Sequence, residues 1–349
     1  VSKKIYPIRK NDRFYFTESH KPESFFLGTI PTFLQSLLGR NKRMKDAVTA
    51  PWITIPEPVL AFREPHVTWL GHATFLVQVG GLNILTDPIF GDASFMFPRV
   101  LPLGIPIAQL PPIDAVIISH NHRDHMDELS LQAIKRLSPQ ARILIPHGDK
   151  SWFDKRGYTN VTEHSWWEDT QIAIPDVEIA PVKFTFLPSA HWSQRGVFDK
   201  NKSLWGSWMI EWESHTIYFA GDTAYAHHFT NIGHHFPSID LALMPVGPCE
   251  PHDWMSHTHV SAEQAGQAFL DLKAQQFIPM HWGTFVFGYD HFELPIERLN
   301  AWWKTNDEHV VGKKLHLSKV GERIDVAMHT SKSNLIFPER DVIFSESAE

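Results

Sequence analysis

Ile117-Ile118-Ser119-His120-Asn121-His122-Arg123-Asp124-His125 is the stretch on which the reading of this chain turns. Ala115 to Ile118 is an apolar run of the kind a buried strand makes. It ends abruptly in three histidines and an aspartate within six positions. Imidazole and carboxylate together are ligands for zinc-like metals. Side chains alternate along an extended backbone, so His120 and His122 project to one side. Asp124 continues that row, and His125 turns out of it. One short loop can therefore serve two metal ions, His120 and His122 for one, Asp124 and His125 for the other. The plainer alternative is a polar surface loop that happens to hold histidines. The spacing, straight after a buried strand, weighs against it.

Outward from this stretch, the chain reads as an α/β protein. On its N-terminal side, His66 to Leu70 is strand-like. Phe75 to Val79 and Leu82 to Thr86 flank Gly80-Gly81, a hairpin signal. Ser94 to Pro112 is Pro-rich and apolar, a long loop over one edge of the site. On its C-terminal side, Leu129 to Leu137 reads as a helix, Arg142 to Pro146 as a strand, and Lys150 to Arg156 as a helix. Strand, helix, strand with short joins is a βαβ-like unit. Gln171 to Ile174 and Val177 to Leu187 are strand-like, the second running into Pro188-Ser189-Ala190-His191. His215 to Ala220 is a strand followed by Gly221-Asp222-Thr223, with a helix near Ala224 to His235 for which Asp222 is a candidate cap. Asp240 to Met244 is another strand. Ser261 caps a helix from Ala262 to Leu272, with Glu263 and Gln264 in its first turn. Gln276 to Met280 is a strand ending in His281. Glu293 to Trp303 is a helix, and Lys314 to Asp325 reads as a short edge hairpin.

Composition narrows the function classes. The chain has 349 residues, 43% hydrophobic and 20% charged, enough for a sizeable core. A net charge of −7 gives a nucleic-acid partner no help. One cysteine, Cys249, excludes an internal disulfide framework and a Cys-rich zinc site. No apolar run approaches the ~20 residues that span a bilayer, and no clear signal peptide follows Val1. A cytoplasmic or peripheral-membrane location is expected. Histidine is the outlier, with 22 in the chain. His227, His228, His234 and His235 fall on what reads as a solvated helix.

Residues 1–60 read as an N-terminal arm and 61–349 as the main domain. In the arm, Phe33, Leu34, Leu37 and Leu38 share one face of a short helix after Pro31. Phe25, Phe26 and Leu27 precede them, and Arg40, Lys42, Arg43 and Lys45 follow. An apolar face beside a basic cluster is the composition of an interfacial membrane contact. An arm packed on the body with a solvated basic end has the same composition, so both readings stand.

His120-x-His122-x-Asp124-His125 resembles the signature of the metallo-β-lactamase superfamily. The longer string from Leu110-Pro111-Pro112-Ile113-Asp114 to His125 resembles a narrower group, the N-acylphosphatidylethanolamine-hydrolysing phospholipase D family and its bacterial relatives. Trp69-Leu70-Gly71-His72-Ala73-Thr74, Thr86-Asp87-Pro88-Ile89-Phe90, His191-Trp192-Ser193-Gln194-Arg195 and Leu204-Trp205-Gly206-Ser207-Trp208 are similar to that family too. His72 and Asp87 are either turn residues or hydrogen-bond partners of ligand imidazoles. The resemblance implies an αββα sandwich, two mixed β-sheets flanked by helices. It implies two divalent metal ions: His120, His122 and His191 on one, Asp124, His125 and His281 on the other, Asp222 bridging. Zinc, iron or manganese suits such a set. It places His259 in the active site outside the metal shell.

The function so implied is hydrolysis of a phosphodiester in an N-acylphosphatidylethanolamine-type phospholipid, releasing an N-acylethanolamine and phosphatidic acid. Asp124, His259 and Arg195 are the candidate catalytic residues. Asp124 would orient the nucleophile and His259 would hold the phosphate or protonate the leaving alkoxide. Arg195 would pair with the phosphate. A lactonase or other carboxylic-ester hydrolase on the same metal pair is the alternative. Expected partners are the phospholipid and a membrane surface, with homodimerisation open.

Overall fold

The computed structural model of the chain describes residues 3–16, 39–47, 49–56, 65–174 and 179–326. β1 (Ile8–Lys10) and β2 (Arg13–Tyr15) form an N-terminal hairpin, and residues 39–46 are helical (α1). Two seven-stranded sheets follow. The first contains β3 (His66–Gly71), β4 (Thr74–Val79), β5 (Leu82–Thr86), β6 (Ala115–Ile117), β7 (Arg142–Pro146) and β8 (Val161–His164). The second contains β9 (Asp169–Ile172), β10 (Val182–Leu187), β11 (Ser207–Trp212), β12 (His215–Phe219), β13 (Ile239–Pro245), β14 (Ala274–Met280) and β15 (Lys314–Leu315). β16 (Arg323–Asp325) returns to the first sheet beside β3. The sheets share one pattern. β3, β4 and β5 run antiparallel, then β6, β7 and β8 join in parallel. β10, β11 and β12 run antiparallel, then β13, β14 and β15 join in parallel.

Alternation along the strands builds the layers. Phe75, Val77 and Val79 of β4 enter a core shared with Phe184 and Phe186 of β10 and Trp208 of β11. Leu76 of β4 and Leu85 of β5 turn the other way. They meet Leu131 and Ile134 of α2 (Glu128–Leu137) and Phe153 of α3 (Lys150–Asp154). Beyond the second sheet, short α5 (His252–Met255) precedes α6 (Ala262–Asp271), whose Phe269 packs against Phe277 of β14 and Trp303 of α7 (Leu294–Thr305). The result is helix, sheet, sheet, helix, the αββα sandwich. Caps fix the helix starts: Asp127 accepts from Ser130 N in α2, and Ser261 and Gln264 form a capping box on α6. Among the described residues, no helix is long and apolar enough to cross a membrane.

Three expectations change. Lys314 to Asp325 is not a hairpin: β15 pairs with β14 in one sheet and β16 with β3 in the other. The segment crosses between sheets, anchored where Gly321 N donates to Trp69 O (2.8 Å). The helix expected from Ala224 begins only at His228, as α4 (His228–His235), and its N-cap position is His227, not Asp222. His228 is not solvated but fully buried, its ring against Phe229. Strands β8 and β11 carried no periodic signal strong enough to be foreseen.

The described parts of the N-terminal arm pack on the body. Phe14 and Phe16 join the main core, and Trp167 Nε1 donates to Ile5 O (2.6 Å). The apolar face expected at Phe25 to Leu38 lies outside the described residues.

Trp208 ties the sheets together: its Nε1 donates to Ile118 O (2.9 Å) across the interface. Trp208→Phe retains most of the apolar bulk and leaves that carbonyl unpaired. A buried unpaired acceptor costs about 1–3 kcal/mol, so a lowered unfolding midpoint in urea is expected. An unchanged midpoint would show that the carbonyl finds another donor.

Candidate metal centre

The strands deliver their chemistry at one rim. His120 to His125 follow β6, Asp87 follows β5, and His72 sits in the turn between β3 and β4. From the second sheet come His191 after β10, Asp222 after β12 and His281 after β14. Close backbone contact brings the two sets together. Gly206 N donates to Ser119 O (2.9 Å). Gly221 has φ +58°, and a Cβ there would lie 2.5 Å from Ser119 Cβ, so only glycine fits. His72, Asp87 and His281 also adopt positive φ, at 53°, 32° and 62°. For residues other than glycine such conformations are costly and concentrate at functional sites.

Two donor sets result. His122 Nδ1 lies 2.8 Å from His120 Nε2 and 3.3 Å from His191 Nε2. Asp124 Oδ2 lies 3.5 Å from His125 Nε2 and 4.0 Å from His281 Nε2. Asp222 Oδ2 sits between the sets, 3.2 Å from His125 Nε2 and 3.1 Å from His281 Nε2. It is 3.9 Å from His120 Nε2 and 3.8 Å from His191 Nε2. The structure therefore brings together all seven residues named as ligands. His72 Nε2 adds a contact of 3.1 Å to Asp124 Oδ2.

The opposite ring nitrogens are held by outward partners, which fixes what faces inward. His125 Nδ1 donates to Asp87 Oδ2 (2.7 Å), His281 Nδ1 to Gly247 O (2.9 Å) and His191 Nδ1 to Thr258 O (2.9 Å). Asp87 also accepts from Ser119 N (2.7 Å) and Ser119 Oγ (2.5 Å), so it braces the start of the histidine loop as well.

Electrostatics points to a cation. Burial pushes His72 and His191 down to about 3 and His122 to about 4, leaving neutral imidazoles with lone pairs to offer. Burial opposes charge on His125 too, but Asp222, Asp124 and Asp87 outweigh it and raise its pKa well above normal. Burial alone would raise Asp222 and Asp124; the surrounding imidazoles, His125 foremost, reverse that and hold both well below the usual carboxylate range. His125 Nε2, His281 Nε2 and Asp222 Oδ1 are buried without a hydrogen-bond partner. Buried carboxylates with unpaired imidazole nitrogens around them fit divalent metal, which would satisfy the inward-facing donors and replace the positive charge on His125.

A cavity of about 290 Å³ opens onto the centre, with His122, Asp124, Asp222, His259 and His281 in its floor and walls. Phe97, Trp192, Trp254, Met255 and Phe287 make the rest of its lining largely apolar. His259 Nδ1 lies 3.7 Å from Asp222 Oδ2. Arg195 is not among the lining residues. Its Nη1 donates instead to Met126 O (2.7 Å) and Asn121 O (3.3 Å), behind the histidine loop. Sequence reasoning missed Trp254, Met255 and Phe287, which follow β13 and β14 without any motif. Phe97 belongs to the loop expected over the site's edge.

The beta-lactamase superfamily domain profile matches residues 82–282, more than half of the chain. The chain belongs to the beta-lactamase superfamily, and its fold is that of the superfamily's metal-dependent hydrolases. Within it, the chain is similar to N-acyl-phosphatidylethanolamine-hydrolyzing phospholipase D 1 of Caenorhabditis elegans. The two are 34% identical over 238 residues, 65% of this chain and 66% of that protein. The mitochondrial N-acyl-phosphatidylethanolamine-hydrolyzing phospholipase D of Saccharomyces cerevisiae is 36% identical over 239 residues, 66% of this chain and 50% of the relative. The chain thus spans between half and two thirds of the length of these curated relatives. Igni18, a metallo hydrolase from Ignicoccus hospitalis, superposes with a TM-score of 0.55 at 22% identity, over 74% of this chain and 97% of that one. At that identity the likeness is one of fold.

Asp87→Asn keeps the shape and tolerates the positive φ, but its amide nitrogen cannot accept the His125 Nδ1 proton. Partners of this kind typically contribute 10–100-fold in metal affinity. Metal content after dialysis against graded chelator should fall at about that much lower chelator strength. Wild-type retention would assign Asp87 to the fold alone.

Proposed function

We propose that this protein is a binuclear metal-dependent hydrolase that cleaves a phosphodiester, most specifically in N-acylphosphatidylethanolamine-type phospholipids. The observation that carries it is the pair of donor sets sharing Asp222 Oδ2 at the floor of an apolar cavity. The relatives' names supply the substrate class. His120, His122 and His191 would hold one ion, Asp124, His125 and His281 the other, and Asp222 both. Zinc, iron and manganese all suit this donor set. Such ions, when bound, supply Lewis-acid stabilisation of phosphoryl oxygens and an acidified water. The chain's own groups do the rest. Asp124 accepts a proton from the attacking water and aims it at phosphorus. The P–O bond to the ethanolamine breaks as the water oxygen bonds to phosphorus. His259, kept neutral by burial, donates its ring N–H in a hydrogen bond to a phosphoryl oxygen or to the departing alkoxide, and the proton taken up by Asp124 passes to that alkoxide, giving N-acylethanolamine and phosphatidic acid. Phe97, Trp192, Trp254, Met255 and Phe287 exclude bulk water and accept the apolar chain nearest the scissile bond.

One observation keeps a second reading. Among the described residues, the cavity lining holds no Arg or Lys of the kind a phosphate site would favour. A lactone or other carboxylic ester needs no such cation. Turnover of bis(4-nitrophenyl) phosphate against that of a lactone separates the two.

Fully loaded protein should contain two ions per chain. Asp222→Ala is expected to lower the content of both sites. His259→Ala should keep both ions and lose roughly 10²–10⁴ in phosphodiesterase rate. Loss of metal from the His259 variant would make that residue a ligand instead.

A lipid substrate also requires a surface to meet. Lys42 and Lys45 of α1 are exposed, while Arg40 and Arg43 face Phe97 and Tyr289 of the body. Phe95, Val197 and Phe198 stand 91%, 78% and 83% exposed, on the loops that carry the cavity residues Phe97 and Trp192. Each basic residue near an anionic surface contributes about 1 kcal/mol, weakened by salt. Reversing Lys42 and Lys45 to glutamate should cut binding to anionic vesicles by roughly ten-fold or more and spare hydrolysis of a soluble phosphodiester. Unchanged vesicle binding by the double variant would leave α1 as packing only.

A further inference from the structure

Arg195 was expected to reach the phosphate, yet its guanidinium is committed elsewhere. Nη1 donates to Met126 O at 2.7 Å and to Asn121 O at 3.3 Å. Those two carbonyls bracket His122-Arg123-Asp124-His125, the segment that carries three of the candidate metal donors. The guanidinium lies 4.5 Å above the Trp152 ring of α3, with Arg156 on the same ring at 3.9 Å. Its own loop is braced too: Asp199 accepts from Gly196 N (2.9 and 2.7 Å) and Arg195 N (3.3 Å). On the neighbouring side, Asn121 Nδ2 donates to Asp149 Oδ1 (2.9 Å), which Ser203 Oγ also reaches (2.8 Å). The histidine loop has little regular structure of its own. Its backbone bonds from His125 N and Met126 N both end on His122 O. Its pitch is therefore set from behind.

We infer that Arg195 is a positioning residue: by joining the carbonyls of residues 121 and 126 it holds His122, Asp124 and His125 at the spacing needed to bind both metal ions. This rests on the proposed metal site but not on the proposed substrate. A guanidinium suits the task because its planar fork is fixed and its charge permanent. A bond from a charged donor to a buried carbonyl is also stronger than a neutral one. Losing it lets the loop open, and three donors then drift together.

The test compares metal-loaded wild type with Arg195→Ala, Arg195→Gln and Arg195→Lys. Metal release into excess chelator is followed with a colorimetric metal indicator, and kcat and KM are measured on bis(4-nitrophenyl) phosphate with metal in excess. Release should quicken roughly 10–100-fold in the Ala and Gln proteins. Their kcat should fall while KM stays within about three-fold of wild type, as expected when ground-state binding is untouched. Arg195→Lys, which keeps a charged donor, should recover most of the slow release. If the alanine chain fails to fold, the Gln and Lys pair carries the same comparison. A KM raised ten-fold or more with wild-type metal release would instead make Arg195 the phosphate partner and overturn the inference. Wild-type release in the Gln protein overturns it too. Because release is read without substrate, it stands or falls separately from the phosphodiesterase reading.

Discussion

The structure depends on how closely the two sheets approach at the rim where their strands end. Ser119, just past β6, lies against Gly206 and Gly221 of the other sheet, with one backbone hydrogen bond and no room for a Cβ at Gly221. Trp208 closes the same seam from within the core. With the seam shut, a loop from one sheet and carboxylate and imidazole groups from the other occupy one small volume. Were the sheets an ångström or two further apart, Asp222 Oδ2 would no longer lie within 3.1–3.9 Å of five imidazole nitrogens from both halves.

Closeness alone would leave the donors disordered. Three of the inward nitrogens are oriented by what their rings touch on the far side: Asp87 for His125, Gly247 O for His281, Thr258 O for His191. Three residues at the rim sit in left-handed backbone conformations that side chains ordinarily avoid. Such strain persists only where surrounding packing over-determines it. Here the surroundings are two sheets with fully buried strands, β3, β4 and β13 among them. Core stability thus holds a site whose local geometry is unfavourable by itself.

The cavity adds a second kind of selectivity. Its walls are aromatic and its polar groups converge on the floor, an arrangement that buries an apolar ligand and leaves one reactive centre. Exclusion of water there strengthens every charge interaction. Among the described residues, the groups that could meet the charge of a ligand converge on the floor.

Much of this was legible in the residues themselves. A buried strand followed by His120, His122, Asp124 and His125 names its own chemistry, because the donors are local and their types admit few other uses. Strands such as β4 and β5 were readable for a similar reason: Gly80-Gly81 supplies the positive φ of the turn, 55° and 73°, between two apolar runs. What the sequence by itself determined was therefore most of the strands, the tight turn at Gly80-Gly81, and the identity of the donors. Tertiary structure alone decided the rest. β15 and β16 parted to different sheets because pairing partners lie far away in the chain. His228 was buried because α4 turned it inward. Arg195 turned to the back of the histidine loop rather than the cavity, since two carbonyls and the Trp152 face compete for its guanidinium. Which groups compete for a long charged side chain depends on distances in space, and spacing along the chain does not encode them.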